Sequence, residues 1–143
     1  MRRAQANRSL RLMTVHAAEL RVIVVGCDGS LASERALRYA VARAGNRGRV
    51  IAVHANCAPA AGQALLRHVK QLVPYGVIFE PVLSDGPAPD AIARVARERL
   101  AAELVVGAHA AGPGTHPLGN VPLTLLAHAD RPVVVCPAPG AEA

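Results

Sequence analysis

The residues best suited to bind a ligand stand directly after the first predicted strand. Gly26, Cys27 and Asp28 follow the apolar run 22–25. A carboxylate at a strand end accepts hydrogen bonds from a ribose hydroxyl or a purine amine. Ser30, two residues further on, is placed to cap the helix that follows. Asp-Gly-Ser is also ordinary turn chemistry, so this stretch by itself predicts a turn as readily as a ligand site.

A second candidate segment, residues 107–121, follows the fourth predicted strand and contains four glycines. Glycine allows the backbone to approach a ligand closely, and a helix that begins near Asn120 directs unpaired N–H groups at a phosphate. No lysine or arginine occurs between Arg99 and Arg131. Phosphate charge there must therefore be met by backbone dipoles, by a metal ion, or by His109 and His116.

Two common nucleotide motifs are missing from the chain. The sequence has no GxxxxGK[ST], so it is not a P-loop protein. No GxGxxG follows the first strand either, which disfavours a dinucleotide-dependent Rossmann enzyme. We find no Ser/His/Asp arrangement that would serve nucleophilic catalysis, and the pair His54 and Cys57 is interpreted as packing rather than as a metal site. The sequence therefore predicts no enzyme.

Composition narrows the class of protein further. The 143 residues suit one domain, and the aromatic content of 2% disfavours a nucleic-acid binder that stacks bases on aromatic rings. The net charge is +6, but four arginines of residues 1–18 contribute +4, and the remaining residues carry 12 basic against 10 acidic groups. We therefore predict a disordered basic arm over residues 1–20 and no specific nucleic-acid partner. Met1 and Met13 are both possible starts of translation.

Targeting and redox features favour a cytoplasmic protein. No stretch has the 7 to 15 apolar residues, roughly, of a secretory h-region, or the roughly 18 of a membrane span. The three cysteines, Cys27, Cys57 and Cys136, are an odd number without CxxC spacing. This pattern favours buried thiols over a disulfide framework or a zinc site. No membrane partner is expected.

Short β-branched runs alternate with amphipathic stretches after the arm. The predicted strands are 22–25, 50–54, 77–83, 103–108 and 132–136. This alternation with nearly continuous apolar strands predicts a parallel sheet that is covered by helices on both faces. Pro81 cannot donate to a strand ladder, which puts the third strand at a sheet edge. The third helix is expected to bury Ile92, Val95, Ala96 and Leu100.

The chain resembles the universal stress protein family from about residue 21 to residue 137. The resemblance rests on residues 24–30 at the start, and on 104–107, 118–121 and 126–135 towards the end. It implies an α/β fold with a five-stranded parallel sheet of order 3-2-1-4-5 and helices on both faces, similar to adenine nucleotide alpha hydrolases and Rossmann-like. It also implies a homodimer joined through the last strand, at Val133, Val134 and Val135. Residues 138–143 are expected to form a loose tail.

Family members that bind ATP share G-x2-G-x9-G-[ST] after the fourth strand, and this chain matches that motif in part. Gly107 fits the first glycine, Ala110 stands in place of the second, and Gly119 fits the third after a spacer of eight residues. Asn120 replaces the hydroxyl residue, and Pro122 removes an N–H from the helix start. The resemblance thus implies an ATP site, with Mg²⁺, at Gly26, Cys27, Asp28, Val53, Gly107, Ala110, Gly119, Asn120 and Val121.

Each of these residues has an expected role. Asp28 would hold the ribose or the base, Val53 and Cys27 would line the adenine slot, and the residues from Gly107 to Val121 would hold the phosphates. Two hypotheses remain open on this basis. The first is a regulatory domain of the stress response that binds an adenine nucleotide without efficient catalysis. The second is a nucleotide-free, dimeric interaction module with a degenerate phosphate loop.

Overall fold

The computed structural model describes residues 21–55, 58–108 and 117–138. The predicted arm, and the predicted tail from residue 139 onward, lie outside these ranges. The elements follow one another as β1 (Val22–Gly26), α1 (Leu31–Ala44), a 3-10 turn (Gly45–Arg47), β2 (Arg49–Ala55), α2 (Pro59–Gln71), β3 (Ile78–Ser84), α3 (Ala88–Glu98), β4 (Glu103–Gly107), α4 (Asn120–His128) and β5 (Val133–Cys136).

The five strands form one parallel sheet in the order β3-β2-β1-β4-β5. The predicted α/β class and strand order are confirmed. β3 lies at an edge, as Pro81 indicated, since a proline nitrogen cannot serve a central ladder. The strand order reverses its direction of winding between β1 and β4. In open α/β sheets this reversal marks the place where the carboxyl ends of the strands leave a crevice for a ligand.

Both faces of the sheet are buried, as expected for parallel strands. Ile23 and Val25 of β1 point to one face and pack with residues of α1 and α2. Val24 points to the other face and packs with residues of α3 and α4. The domain therefore has two apolar layers, and the predicted five-stranded unit accounts for nearly all of the described chain.

The helix ends are held by specific contacts. Ser30 caps α1 as predicted, because its hydroxyl accepts a hydrogen bond from the backbone N–H of Ser33 at 3.1 Å. At the far end of α3, the Arg131 side chain donates to the backbone oxygens of Ala96 at 2.7 Å and Ala101 at 3.0 Å. Arg131 also binds the Asp130 carboxylate, which lowers the pKa of that group. Arg131 thus ties β5 to the end of α3.

The prediction that Leu100 is buried was wrong. Its side chain is 83% exposed, and its backbone has a φ of +51°. The N–H of Ala101 bonds to the oxygen of Ala96, and that of Leu100 bonds to the oxygen of Arg97, as in a Schellman helix end. This geometry places Leu100 in the left-handed position that glycine usually occupies. Because Leu100 lies beyond the end of the helix, the helical spacing of apolar residues does not predict where its side chain points.

We predict that Leu100→Gly stabilises the protein by about 1 kcal/mol, because a left-handed backbone costs an L-residue roughly that amount. Urea unfolding of the two proteins measures the difference. Leu100→Ala is the control, since it removes the exposed side chain but keeps the backbone cost. An equal gain from both variants would show that the side chain and not the backbone is responsible.

Candidate functional site

A cavity of about 230 Å³ opens at the carboxyl ends of β1, β2 and β4, at the reversal point of the sheet. Two helices close it, with the amino ends of α3 and α4 both turned towards it. Its surface is mostly apolar. The residues that line it are Gly26, Cys27, Asp28, Ser33, Val53, His54, Ala55, Ala88, Ile92, Val106, Gly107, Asn120, Val121 and Pro122.

The structure brings most of the residues that the sequence singled out to this one cavity. Its walls include Gly26, Cys27, Asp28, Val53, Gly107, Asn120 and Val121. Gly119 immediately precedes α4, is buried, and has a φ of +85°. Ala110 lies outside the described residues, as do His109 and His116. The shared location is a geometric finding, and the binding roles of these residues stay predictions.

Sequence reasoning missed the contribution of α3. Ala88 and Ile92, one turn apart, form part of the cavity wall. Val106 of β4 and Pro122 of α4 complete the apolar surface. The i, i+4 spacing of Ala88 and Ile92 was visible in the sequence, but that spacing predicts an inward face without specifying whether the face meets the core or a cavity.

The turn after β1 holds Asp28 at the mouth of the cavity. The Asp28 carboxylate accepts a hydrogen bond from the backbone N–H of Ser30 at 2.9 Å. Its own N–H lies 3.4 Å from the Ser33 hydroxyl, which donates to the Ser30 oxygen at 3.0 Å. Gly29 between them has a φ of +84°, a conformation that L side chains rarely adopt. The turn thus gives an exposed carboxylate a fixed position.

His54 is oriented by a backbone contact. Its Nδ1 lies 2.6 Å from the carbonyl oxygen of Cys27. Because a carbonyl only accepts, Nδ1 carries the proton and donates, which leaves Nε2 as the acceptor of the neutral ring. The sequence analysis considered His54 only as a partner of Cys57, a residue outside the described ranges. The structure gives His54 a different contact, with β1.

The Cys27 thiol is buried in the cavity wall, with 5% of the residue exposed. Burial and then the nearby Asp28 carboxylate raise its pKa to about 12. The thiolate form is the nucleophile and metal ligand, so at neutral pH this thiol is inert in both respects. Cys27 is therefore an apolar wall residue, in agreement with the buried thiol that the sequence predicted.

We predict that native Cys27 reacts with iodoacetamide at pH 8 about 1,000-fold more slowly than in unfolded protein, in line with its smaller thiolate fraction. Protein with Cys57→Ser and Cys136→Ser isolates this thiol, and mass spectrometry follows the adduct. The folded pKa lies above the unfolded one, so the native rate should keep rising through the whole alkaline range up to about pH 12. A rate that levels off near pH 9, roughly, would contradict burial.

The start of α4 leaves backbone donors unpaired. Gly119 is the cap residue and Asn120 is the first helical residue, with no side-chain cap hydrogen bond. The first turn of a helix leaves backbone N–H groups unpaired. Here Pro122 has no N–H, and the N–H of Leu123 bonds to the Gly119 oxygen at 3.4 Å. The N–H groups of Asn120 and Val121 are the two donors that remain.

Two glycines in the cavity wall differ in what an added side chain would meet. A Cβ on Gly107 would lie 2.5 Å from the backbone carbon of Ala32 in α1. A Cβ on Gly26 would lie 2.7 Å from the Cδ1 of Ile92, at the flexible end of a side chain. Gly107 therefore allows β4 and α1 to approach each other, whatever else it contacts.

Within the described ranges we find neither a cluster of metal ligands nor a helix that could span a membrane. No group of three His, Cys, Asp or Glu side chains lies close enough together to hold a metal ion in residues 21–55, 58–108 and 117–138. None of the helices in that part of the chain has the length and apolar character to cross a membrane.

Comparison with known proteins gives consistent matches. The family model described as "Universal stress protein family" matches residues 19–71 and 58–137. No curated protein matches the sequence significantly. The fold is similar to the crystal structure of a universal stress protein in complex with cAMP, with 28% identity over 81% of this chain and 95% of that chain, and a TM-score of 0.68.

Two more distant structures share the fold. A universal stress protein from Archaeoglobus fulgidus in complex with dAMP is 22% identical over 82% of this chain and 97% of its own, with a TM-score of 0.67. A family protein from Arabidopsis thaliana with AMP bound is 19% identical over 85% and 94%, with a TM-score of 0.62. At these identities the likeness concerns the fold.

Proposed function

Because this chain belongs to the universal stress protein family, we propose that it is a regulatory domain that binds an adenine nucleotide in the cavity between β1, β2 and β4. The observation that carries the proposal is the cavity itself, which combines an apolar slot, a fixed carboxylate and a helix amino end. The relative that is 28% identical was crystallised with cAMP, which supports the choice of ligand class.

The chemistry of each wall suits one part of a nucleotide. Val53, Ile92 and Val106 form aliphatic surfaces for a purine ring, which takes the place of aromatic stacking in a chain with few aromatic residues. The Asp28 carboxylate accepts from ribose hydroxyls. The N–H groups of Asn120 and Val121 donate to a phosphate, assisted by the helix dipole.

The triphosphate form of the ligand is a separate part of the proposal. ATP would bring Mg²⁺, because no lysine or arginine is among the described residues that line the cavity and the added charge needs a counterion. Asp28 is the carboxylate in that wall, and it is the residue on which such an ion would depend. ATP and Mg²⁺ remain expectations derived from the family resemblance.

We also propose that the domain does not catalyse efficiently and resides in the cytoplasm. The thiol in the cavity wall is held protonated by burial, so it supplies no nucleophile. Cys27 and Cys136 are buried free thiols, which suits a reducing compartment. Slow ATP hydrolysis is compatible with this role, and a hydrolysis assay on the purified domain measures it.

Mass spectrometry of small molecules released from denatured, purified protein tests nucleotide binding. We expect the denatured protein to release an adenine nucleotide. If the protein is purified without nucleotide, we expect AMP, cAMP or ATP to raise its melting temperature by several degrees. The ligand is added at 1 mM, roughly 100 times the Kd of a tight ligand. Absence of a released nucleotide together with an unchanged melting temperature for all three would reject the proposal.

The alternative function is a nucleotide-free interaction module of the same fold. Pro122 favours it, because this residue removes one N–H from the helix end that would hold a phosphate. The alternative predicts a stable dimer that neither releases nor binds adenine nucleotides. The released-ligand experiment therefore separates the two functions directly.

We further propose that the chain forms a homodimer joined through β5, whether or not it binds a nucleotide. β5 is an edge strand, and Val133, Val134 and Val135 are only half-buried. The oxygens of Pro132 and Cys136 accept from the N–H groups of Leu104 in β4 and Ala108 just after it. The alternating backbone groups of Val133 and Val135 therefore face outward and are available to a second copy.

Val135→Pro tests the dimer, because proline removes an outward N–H and leaves the β4 ladder in place. We expect light scattering to show a dimer for the unchanged chain and a monomer for the variant, with similar circular dichroism. A folded variant that remains dimeric would contradict an interface through β5.

A further inference from the structure

The electrostatic character of the cavity is unusual for a site that holds a polyphosphate. Its described walls contain one fully charged group, the Asp28 carboxylate, and that charge is negative. Residues 100–130, which include the undescribed stretch 109–116, contain no lysine or arginine, and neither do residues 56–57. Arg94 of α3 donates to Ser84, and Arg99, which follows α3, donates to Glu80.

Backbone donors in the first turn of α4 are few. Asn120 and Val121 supply unpaired N–H groups there, whereas Pro122 has none and Leu123 is bonded to Gly119. Two N–H groups match the oxygens of one phosphate. A second or third phosphate would find no lysine or arginine in the described walls, and it would be repelled by Asp28 if it turned back towards the mouth.

We propose that this site selects nucleotides by charge and prefers an adenine nucleotide with a single phosphate to ATP. A cyclic phosphodiester carries one negative charge and a phosphomonoester about 1.5 to 2, whereas a triphosphate carries more. The order of affinity follows as cyclic monophosphate at least equal to AMP, then ADP, then ATP. This inference rests on the proposed function and specifies the ligand class of the same site.

Calorimetric titration of the full chain with cAMP, AMP, ADP and ATP, without Mg²⁺ and at low salt, tests the order. We expect the Kd of ATP to exceed that of cAMP by about tenfold or more, a gap that narrows at high salt or when Mg²⁺ is added. An ATP Kd equal to or below that of cAMP without Mg²⁺ would overturn the inference and leave the proposed function intact. Absence of binding by all four would reject the proposed function instead.

Two variants examine the cause of the preference. Asn120→Lys places a cation at the amino end of α4, and Asn120→Gln is its neutral control. We expect the lysine variant to bind ATP about tenfold more tightly and cAMP within about threefold of the unchanged chain. The glutamine variant should keep the original ratio. Unchanged ratios in both variants would show that the phosphates lie elsewhere and would overturn the charge argument.

Asp28→Asn examines the other side of the cavity. Asparagine keeps an oxygen for the Ser30 N–H, so the turn is retained while the negative charge is lost. We expect weaker binding of all four nucleotides, since a ribose acceptor is altered, together with a smaller ratio between the Kd values of ATP and cAMP. A ratio that stays the same or grows would contradict repulsion by Asp28.

Discussion

Replacing Ala88 by phenylalanine is expected to raise the Kd for AMP or cAMP by about 100-fold or more, a loss of roughly 2.7 kcal/mol. Ala88 is the first residue of α3, is half-buried, and belongs to the cavity wall. A benzyl group there fills space that the proposal assigns to the purine. The substitution changes no hydrogen-bond donor or charge, so the effect comes from volume. Calorimetric titration of the purified variant measures it.

Ala60→Phe is the matched control for this experiment. Ala60 lies in the first turn of α2, is exposed, and is outside the cavity wall. The same side chain in the first turn of another helix should leave the Kd within about twofold and the melting temperature nearly unchanged, as is usual for surface substitutions. If a folded Ala88→Phe protein binds as tightly as the control, the nucleotide does not occupy this cavity.

The second large effect is expected at Gly107. Gly107→Ala should destabilise the domain by about 3 kcal/mol, at the upper end of ordinary overpacking. The new Cβ would lie 2.5 Å from the backbone carbon of Ala32 and 2.7 Å from both its Cβ and its oxygen. Backbone atoms cannot rotate away, so α1 must shift from β4, where much of the core lies. Urea unfolding measures the loss.

Gly76→Ala separates the steric effect at Gly107 from the general cost of losing a glycine. Gly76 has a φ of +96°, and nothing lies within 4 Å of an added Cβ. Its replacement should cost about 1 kcal/mol for the backbone alone. A loss at Gly107 no greater than this would contradict the close approach of β4 and α1.

The packing of Gly107 changes the interpretation of the phosphate motif. The family motif places its first glycine at this position, where the sequence predicts a phosphate contact. In the structure, contact with α1 suffices to require glycine here. A glycine at this position is therefore expected in domains of this architecture that bind a nucleotide and in those that do not. The helix amino end at Asn120 and Val121 is the more informative part of the motif.

Much of the fold was predictable because its determinants are local in sequence. The valine runs set the strands, and Pro81 excluded β3 from the sheet centre, since proline cannot serve both neighbours of a central strand. The turn around Asp28 followed from Asp-Gly-Ser chemistry, and the Ser30 cap is confirmed at 3.1 Å. Residues at the carboxyl ends of neighbouring parallel strands must converge, so most of the predicted cavity wall was accessible from the sequence.

The features that were missed depend on tertiary geometry. Leu100 has the apolar spacing of a core residue, but α3 ends at Glu98 and the chain then turns the Leu100 side chain to solvent. The contact of His54 with the Cys27 carbonyl requires β1 and β2 to be adjacent in a known register. The role of α3 in the cavity depends on how the crossover after β3 places this helix over the sheet. The spacing of residues in the sequence does not predict these three tertiary features.

An NMR titration of ¹⁵N-labelled protein with AMP is the most direct test of a nucleotide site at the carboxyl ends of β1, β2 and β4. The account predicts saturable shifts of the backbone amides of Gly26, Val53, Asn120 and Val121 at one common Kd, from three elements that all contribute to the cavity wall. Saturable shifts confined to the separate groove between α3 and α4, around Arg94, Arg97 and His128, would contradict it. Absence of any saturable shift with AMP at 1 mM, roughly the weak limit of a specific site, would contradict it as well.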